Sequence, residues 1–301
     1  MIRHAIVTGG TGFFGSRLVG LLLEKGALVT VLARSTSDWR RLAGFKDRLV
    51  VRLADEPVES LFTNPVDIVV HTATCYGRRS EEIEQICETN YNWPLRLLKN
   101  AAARGVPWFI NCDTSLPVGL NPYADWKAAF RTAAFALATD GHIGVLNMRL
   151  ESLFGPGDDD TKFVMQLLHA LLAGVPSFPM TSGEQSRDYL YVDDAVEAAR
   201  VLIAALPTQP RGWLQAGVGS GEPIRVRDFA ERLSRAVRPT VLDFGALPMR
   251  EGELMNACAD LTLLRSLGWQ PRVPLDEAIA RLVASALADA TRPQSGHPAT
   301  R

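Results

Sequence analysis

Cysteine, lysine and long apolar runs are all scarce in this sequence, and each scarcity removes a class of protein. The 4 cysteines, Cys75, Cys87, Cys112 and Cys258, form no C-x-x-C pair and stand in no histidine cluster. Neither a disulfide framework nor a metal site is expected, and reduced thiols suit the cytoplasm. No apolar run approaches the roughly 18 residues that span a bilayer. Charge of one sign does not dominate either, since 32 basic residues face 33 acidic ones. That balance argues against nucleic-acid and membrane partners. A signal peptide is not expected, because residues 2–7 already read as a strand running into glycines. Internal repeats are absent. What remains is a globular balance, 301 residues of which 47% are apolar and 22% charged, enough for one large α/β domain or two interleaved ones.

Through the first half, short β-branched runs alternate with longer helical patterns. Strands are expected at residues 4–8, 28–33, 49–53, 67–71, 108–112 and 144–148, and helices at 14–25, 81–104 and 123–139. Alternation of this kind predicts βαβ units and a doubly wound parallel sheet that binds its ligand at the carboxyl ends of the strands. After Arg149 the pattern changes. Gly155-Pro156-Gly157 and the acidic residues 158–160 punctuate the chain, and shorter elements follow. They predict a smaller second lobe, interleaved with a return to the first near residues 189–206.

The segment VTGGTGFFG follows the first strand and opens the first helix. Gly9, Gly12 and Gly15 give GxxGxxG, while Gly10, Gly12 and Gly15 give GxGxxG. Glycines at these spacings allow a tight turn and let the backbone approach a pyrophosphate at a helix N-terminus. Gly9, Gly10, Thr11, Gly12, Phe13, Phe14 and Gly15 are therefore candidate cofactor residues; a generic strand-to-helix turn is the competing reading. Proteins that bind NAD usually carry an acid at the end of the second strand, where it holds the adenosine ribose. Ala33 stands there instead, followed by Arg34 and Ser35, with Arg40 and Arg41 close behind. A guanidinium pairs with a 2′-phosphate that a carboxylate would repel, so NADP(H) is the expected cofactor. Arg34 could also be a solvated surface arginine.

Tyr123 and Lys127 have the Tyr-x-x-x-Lys spacing, which puts phenol and ammonium on one helical face. A phenol has an ordinary pKa near 10, and a nearby cation stabilises its phenolate. With 5 tyrosines and as few lysines in 301 residues, an accidental match is disfavoured.

The glycine loop, the Tyr-x-x-x-Lys helix and a hydroxyl at the end of the preceding strand resemble the extended short-chain dehydrogenases/reductases over roughly residues 3 to 285. The resemblance implies a Rossmann-type α/β fold, with residues 1–150 and 187–215 forming the NADP-binding domain. Residues 151–186 and 216–288 would form the substrate lobe, and polar, Pro-containing residues 289–301 a disordered tail. It implies catalytic roles for Thr114, Tyr123 and Lys127, with Ser115 the alternative hydroxyl, because Thr114 follows the fifth strand in FINCDTSLP. VVHTAT resembles the family's fourth-strand segment and places His71 and Ala73 beside the cofactor, although a strand-end histidine can be purely structural. Asn90 matches an asparagine that supports the active site, and Asp55 a position that meets the adenine or is simply a solvated loop acid. The chain departs from the family in one respect: only eight residues separate Thr114 from Tyr123.

GEQSRDYLYVDDAV resembles a signature of the nucleotide-sugar branch, in which Arg187 contacts the substrate pyrophosphate. PMREGEL resembles an element that brings Arg250 to the same phosphates. A salt bridge from Arg187 to Asp188 or Asp193 is the alternative, and Asp193 and Asp194 otherwise read as helix-capping acids. NCDTSLP, RLESLFGPGDDDTKF and TSGEQSRDYLYVDD together look like the CDP-3,6-dideoxyhexose synthases of the abequose and paratose type. That likeness implies NADPH-dependent reduction of the 4-keto group of a CDP-linked deoxyhexose, with Lys162 and Phe163 lining the cleft unless Lys162 is a plain surface lysine. The 4,6-dehydratases of the family carry an Asp-Glu pair after the catalytic Thr, and Ser115-Leu116 stands there instead. A 4-epimerase and a non-catalytic NADP sensor are the rival readings, and a homodimer through the helices at 81–104 and 123–139 is the family expectation.

Overall fold

A computed structural model describes residues 2–291 of the protein. Strand β1 (His4–Thr8) is buried along its whole length, and its turn feeds helix α1 (Phe13–Glu24). β2 (Leu28–Ala33), β3 (Leu49–Leu53) and β4 (Ile68–His71) follow. Then come α2 (Ile83–Cys87), α3 (Trp93–Ala103), β5 (Trp108–Thr114), α4 (Pro122–Thr139) and β6 (Gly144–Leu150). The second half holds β7 (Ser152–Phe154), α5 (Phe163–Ala173), β8 (Ser177–Met180), β9 (Ser186–Arg187), β10 (Tyr189–Tyr191) and α6 (Val192–Ala205). It closes with β11 (Trp213–Val218), β12 (Ile224–Arg225), α7 (Val226–Val237), β13 (Val241–Phe244), α8 (Thr262–Ser266) and α9 (Leu275–Thr291).

Seven parallel strands form the main sheet in the order β11-β6-β5-β4-β1-β2-β3. This is a Rossmann-type sheet, and its strand order reverses between β4 and β1, where such sheets open a crevice for a ligand. Period-2 alternation divides the strands between two cores. Ala5, Val7, Val29 and Val31 pack with α1 and α6, whereas Ile6, Val69, Phe109 and Val145 pack with Leu97, Leu98 and Phe130 of α3 and α4. A third core in the smaller lobe gathers Leu167, Leu168, Phe229, Leu233 and Ile279, with Tyr189 stacked on Phe229 at 4.0 Å.

The strands expected at 108–112 and 144–148, which each run two residues further, and the helix expected at 81–104 differ from the structure. β5 continues past 112 to Thr114, because pairing with Arg149 and Leu150 of β6 holds both residues extended, Asp113 despite its weak strand preference. The helix expected over 81–104 is interrupted by a π-turn at 88–92 before α3 restarts with Pro94 in its first turn. Pro94 has no N–H to donate into the preceding turn, and within the π-turn the Asn90 side chain donates to Ile86 O at 2.9 Å.

The lobes also divide differently from the expected boundaries. β7 and β10 pair with each other, and their alternate residues serve both cores: Leu153 and Leu190 face the first, Phe154, Tyr189 and Tyr191 the third. The boundary drawn at 215/216 falls inside β11, which pairs with β6 along its whole length. Leu261, Leu264 and Trp269 of the expected substrate lobe pack into the first core. Residues 289–291, expected in a disordered tail, close α9, and 292–301 lie outside the described residues. Among the described residues, no helix is long and apolar enough to cross a membrane.

Candidate active site

The turn after β1 needs glycine for two separate reasons. Gly9 has φ +65, and a Cβ there would stand 2.6 Å from the amide nitrogen of Ala73 at the end of β4. A Cβ on Gly15 would strike Gly9 O and the Thr72 hydroxyl, so α1 could no longer lie against the strand ends. Gly12 caps α1 without any side-chain hydrogen bond, and no acid occupies the first turn. An open helix N-terminus over a cradle that side chains would fill suits the pyrophosphate of a dinucleotide.

The other expected cofactor residues divide into two groups. Ala33 is buried, while Arg34 and Ser35 are exposed just beyond β2. No hydrogen bond or ion pair engages the Arg34 guanidinium among the described residues. Arg40, by contrast, pairs with Asp38, and Arg41 donates to Gly157 O at 2.7 Å and Thr11 O at 3.3 Å. Asp55 is exposed after β3, on the wall of a cavity of about 390 Å³ shared with Trp93 and Arg96. Phe13 lies between two cations, Arg17 at 4.5 Å and Lys162 at 5.3 Å.

Three side chains expected at the cofactor are buried within the protein. Phe14 is a member of the first core. His71 is fully buried against Trp93, Phe109 and Phe130, with Nδ1 2.8 Å from the Thr8 hydroxyl. Burial drives the His71 pKa well below the ordinary imidazole value, and nearby Lys127 adds to the effect, so the ring stays neutral. Asn90, also fully buried, donates to Cys75 O at 2.8 Å and accepts from Cys75 N at 3.3 Å, which clamps the loop after β4.

At the carboxyl end of β5, the Thr114 hydroxyl accepts from Leu116 N at 3.2 Å and lies near enough to Tyr123 to act on its phenol. Ser115 is engaged elsewhere, donating its hydroxyl to Glu151 at 2.8 Å. The short connection to α4 is pinned at both ends. Asp125 accepts from Gly119 N at 2.6 Å, and Asn121 caps the helix by accepting from Ala124 N at 2.9 Å. Tyr123 is packed by Cys75 and Ile86, with the Tyr76 ring 5.0 Å away. Burial lifts its phenol well above the ordinary pKa, Tyr76 adds to this, and the Thr114 hydroxyl opposes it. The spacing led to the expectation that Lys127 would lower that pKa. Instead Lys127, fully buried, turns Nζ to Cys112 O at 2.7 Å, and the phenol stays protonated at neutral pH. Burial lowers the Lys127 pKa, with Asp113 and Cys112 pulling it back up.

A buried polar seam lies beneath this helix. Asn111 donates to Asn147 at 2.7 Å, and Asn147 donates to Asp113 at 3.0 Å. Arg131, two helical turns beyond Tyr123, also donates to Asp113 at 2.7 Å. The Asp113 carboxylate thus sits between the Tyr-Lys helix and the sheet. An acid inside the apolar run FINCD was the sequence signal for it, and its contacts were not legible there.

The residues expected at the substrate have partners the sequence did not predict. Arg187 pairs with Glu253, not Asp188 or Asp193, and donates to Leu254 O at 2.5 Å. Arg250 is exposed in the same segment. Lys162 forms an ion pair with buried Asp158 at 2.8 Å against the Phe13 ring, and Phe163 begins α5 beside the third core. Asp188 is fully buried and accepts from the hydroxyl of Ser220 at 2.7 Å and from the amides of Gly221 at 3.0 Å and Ala259 at 2.9 Å. Asp194, expected as a helix cap, accepts instead from Arg272 N at 3.1 Å and Val273 N at 2.9 Å, which ties the entrance of α9 to α6.

Residues 5–212 match the NAD dependent epimerase/dehydratase family. Over 93% of this chain and 97% of the relative, the sequence is 27% identical to the CDP-abequose synthase of Salmonella typhimurium. Among solved structures, the UDP-glucose 4-epimerase of Thermotoga maritima, with UDP-glucose, superposes with a TM-score of 0.81 at 24% identity, covering 95% of this chain and 99% of that one. The UDP-glucuronic acid 4-epimerase of Bacillus cereus, in complex with UDP-glucuronic acid and NAD, gives 0.82 at 20% identity, covering 95% and 99%.

Proposed function

The chain belongs to the NAD dependent epimerase/dehydratase family, and from that premise we propose that it is an NADPH-dependent reductase of the 4-keto group of a nucleotide-linked deoxyhexose. Likeness to a CDP-abequose synthase supports the CDP-linked form of that substrate. The observation that carries the reading is the Tyr123 phenol, held protonated by burial beside the Thr114 hydroxyl at the carboxyl end of β5. A protonated phenol in that position is a ready acid for a carbonyl oxygen.

Gly9–Gly15 and the open end of α1 would hold the cofactor pyrophosphate, and Arg34 the 2′-phosphate. Bound NADPH supplies the hydride. Tyr123 donates its proton to the substrate oxygen as negative charge develops there, and Thr114 hydrogen-bonds the same oxygen. Lys127, one turn along the helix, would exchange Cys112 O for the nicotinamide ribose. Arg187 would exchange Glu253 for the substrate diphosphate, with Arg250 approaching from the neighbouring loop and Lys162 and Phe163 at the edge of the cleft. Its 4 free cysteines support a place in the reducing cytoplasm. A homodimer through α3 and α4 belongs to the same reading, supported by Phe135 of α4, 48% exposed.

Reductase and epimerase differ in what happens to the cofactor. A reductase consumes one NADPH per product, whereas an epimerase regenerates its cofactor in place. Incubation with a CDP-4-keto-deoxyhexose and NADPH is therefore expected to give stoichiometric loss of the reduced-nicotinamide absorbance and a 4-hydroxy product. Inversion of a 4-hydroxy nucleotide sugar at flat absorbance would make the protein an epimerase.

NADPH is expected to bind more tightly than NADH by on the order of 10-fold or more, because Arg34 is unengaged where the 2′-phosphate would lie. Titration of both cofactors into wild type and Arg34→Ala measures this, and the variant should bind the two alike. Equal affinities in the wild type would refute the assignment.

A further inference from the structure

Glu151 is a carboxylate at the reactive end of the sheet that the mechanism above does not use. Its backbone is fixed on both sides: Ser115 N bonds Leu150 O at 3.2 Å, and Glu151 N bonds Val218 O at 2.9 Å. Oε2 is anchored as well, accepting the Ser115 hydroxyl at 2.8 Å, one residue from Thr114. Oε1 makes no hydrogen bond among the described residues, and the side chain is partly exposed. Around it stand Arg149, whose guanidinium donates to Ser115 O at 3.1 Å, with Asp188 and Arg187 near enough to act on its charge. Burial pushes the Glu151 pKa up, and Arg149 and Arg187 oppose that.

This places one held carboxylate, with one free oxygen, next to Thr114 through Ser115 and within charge range of Arg187. A nucleoside diphosphosugar reacting at Tyr123 with its diphosphate on Arg187 must lay its sugar ring between those two residues. We infer that Glu151 is a substrate-contact residue, its free Oε1 accepting a hydrogen bond from a ring hydroxyl of the sugar. The inference rests on the nucleotide-sugar reading above and goes beyond it by naming what distinguishes one hexose from another. The anchoring by Ser115 means the acceptor needs no reorganisation when the sugar arrives, which is how a site rejects an analogue lacking the hydroxyl.

The test compares a nucleotide with its hexosyl conjugate by calorimetry, using CDP and CDP-glucose on wild type, Glu151→Ala and Glu151→Gln. NADPH titration serves as the control for folding. Glu151→Ala is expected to weaken CDP-glucose on the order of 10- to 100-fold while leaving CDP and NADPH unchanged. Glu151→Gln, whose amide oxygen can still accept, should lose less. CDP-glucose binding at wild-type strength in Glu151→Ala overturns the inference. So does equal weakening of CDP and CDP-glucose, which would mean that Glu151 acts on the diphosphate through Arg187. Should wild type bind UDP and UDP-glucose in place of the cytidine pair, the cytidine reading fails and the same difference, measured with the uridine pair, still decides for or against Glu151.

Discussion

Tyr123→Phe is expected to keep cofactor and nucleotide-sugar affinity and to lose roughly 100- to 10,000-fold in kcat, the range over which a single general acid contributes. The substitution removes one oxygen. The ring stays packed by Cys75 and Ile86 beside Tyr76, so the site keeps its shape and the loss reports chemistry. Thr114 would still accept Leu116 N at 3.2 Å. Single-turnover rates with NADPH, alongside cofactor titration, separate the two quantities. A variant with near wild-type kcat on a reducible substrate would show that another group protonates the product, and Glu151 would be the first to examine.

Asp188→Ala is expected to be the most damaging change to stability. The carboxylate joins three separate stretches of chain, since it receives the Ser220 hydroxyl and the amides of Gly221 and Ala259 from its place between β9 and β10. Removing it takes the acceptor from those part-buried donors and from Ser220 N. At about 1 kcal/mol or more for each orphaned donor, the loss should reach about 3–4 kcal/mol, or a fall in Tm on the order of 5–10 °C. Asp188→Asn keeps one carbonyl acceptor and should fall between. Thermal and urea unfolding of both variants provide the measurement, and a loss below about 1 kcal/mol for the alanine variant would show that water replaces the carboxylate without difficulty.

The first three strands were legible to the residue, because each is a mostly apolar, β-branched run bounded within two residues on either side by a polar residue or glycine. The small lobe was less legible. Its β7 and β10 turn alternate residues to two different cores, and no local pattern marks a strand shared in that way. At the site, the glycine spacing announced the cradle. His71 and Asn90 were read toward the cofactor, yet both are closed off by partners on other elements, Thr8 on β1 for one and the backbone of Cys75 for the other.

By itself the sequence determined what depends on neighbours a few residues away. The glycine turn, the open start of α1 and the shared face of Tyr123 and Lys127 follow from backbone sterics and helical period, which act locally. Tertiary structure decided which hydroxyl meets Tyr123, where Lys127 directs its charge, and which acids stand at the site. Glu151 reaches Ser115 across 36 residues of chain, and Arg187 reaches Glu253 across 66. Such pairs form only when strands or loops distant in sequence are brought side by side. Until then every acid and arginine has many partners of nearly equal energy in water, where an exposed ion pair contributes little, and only burial beside one particular partner makes the choice.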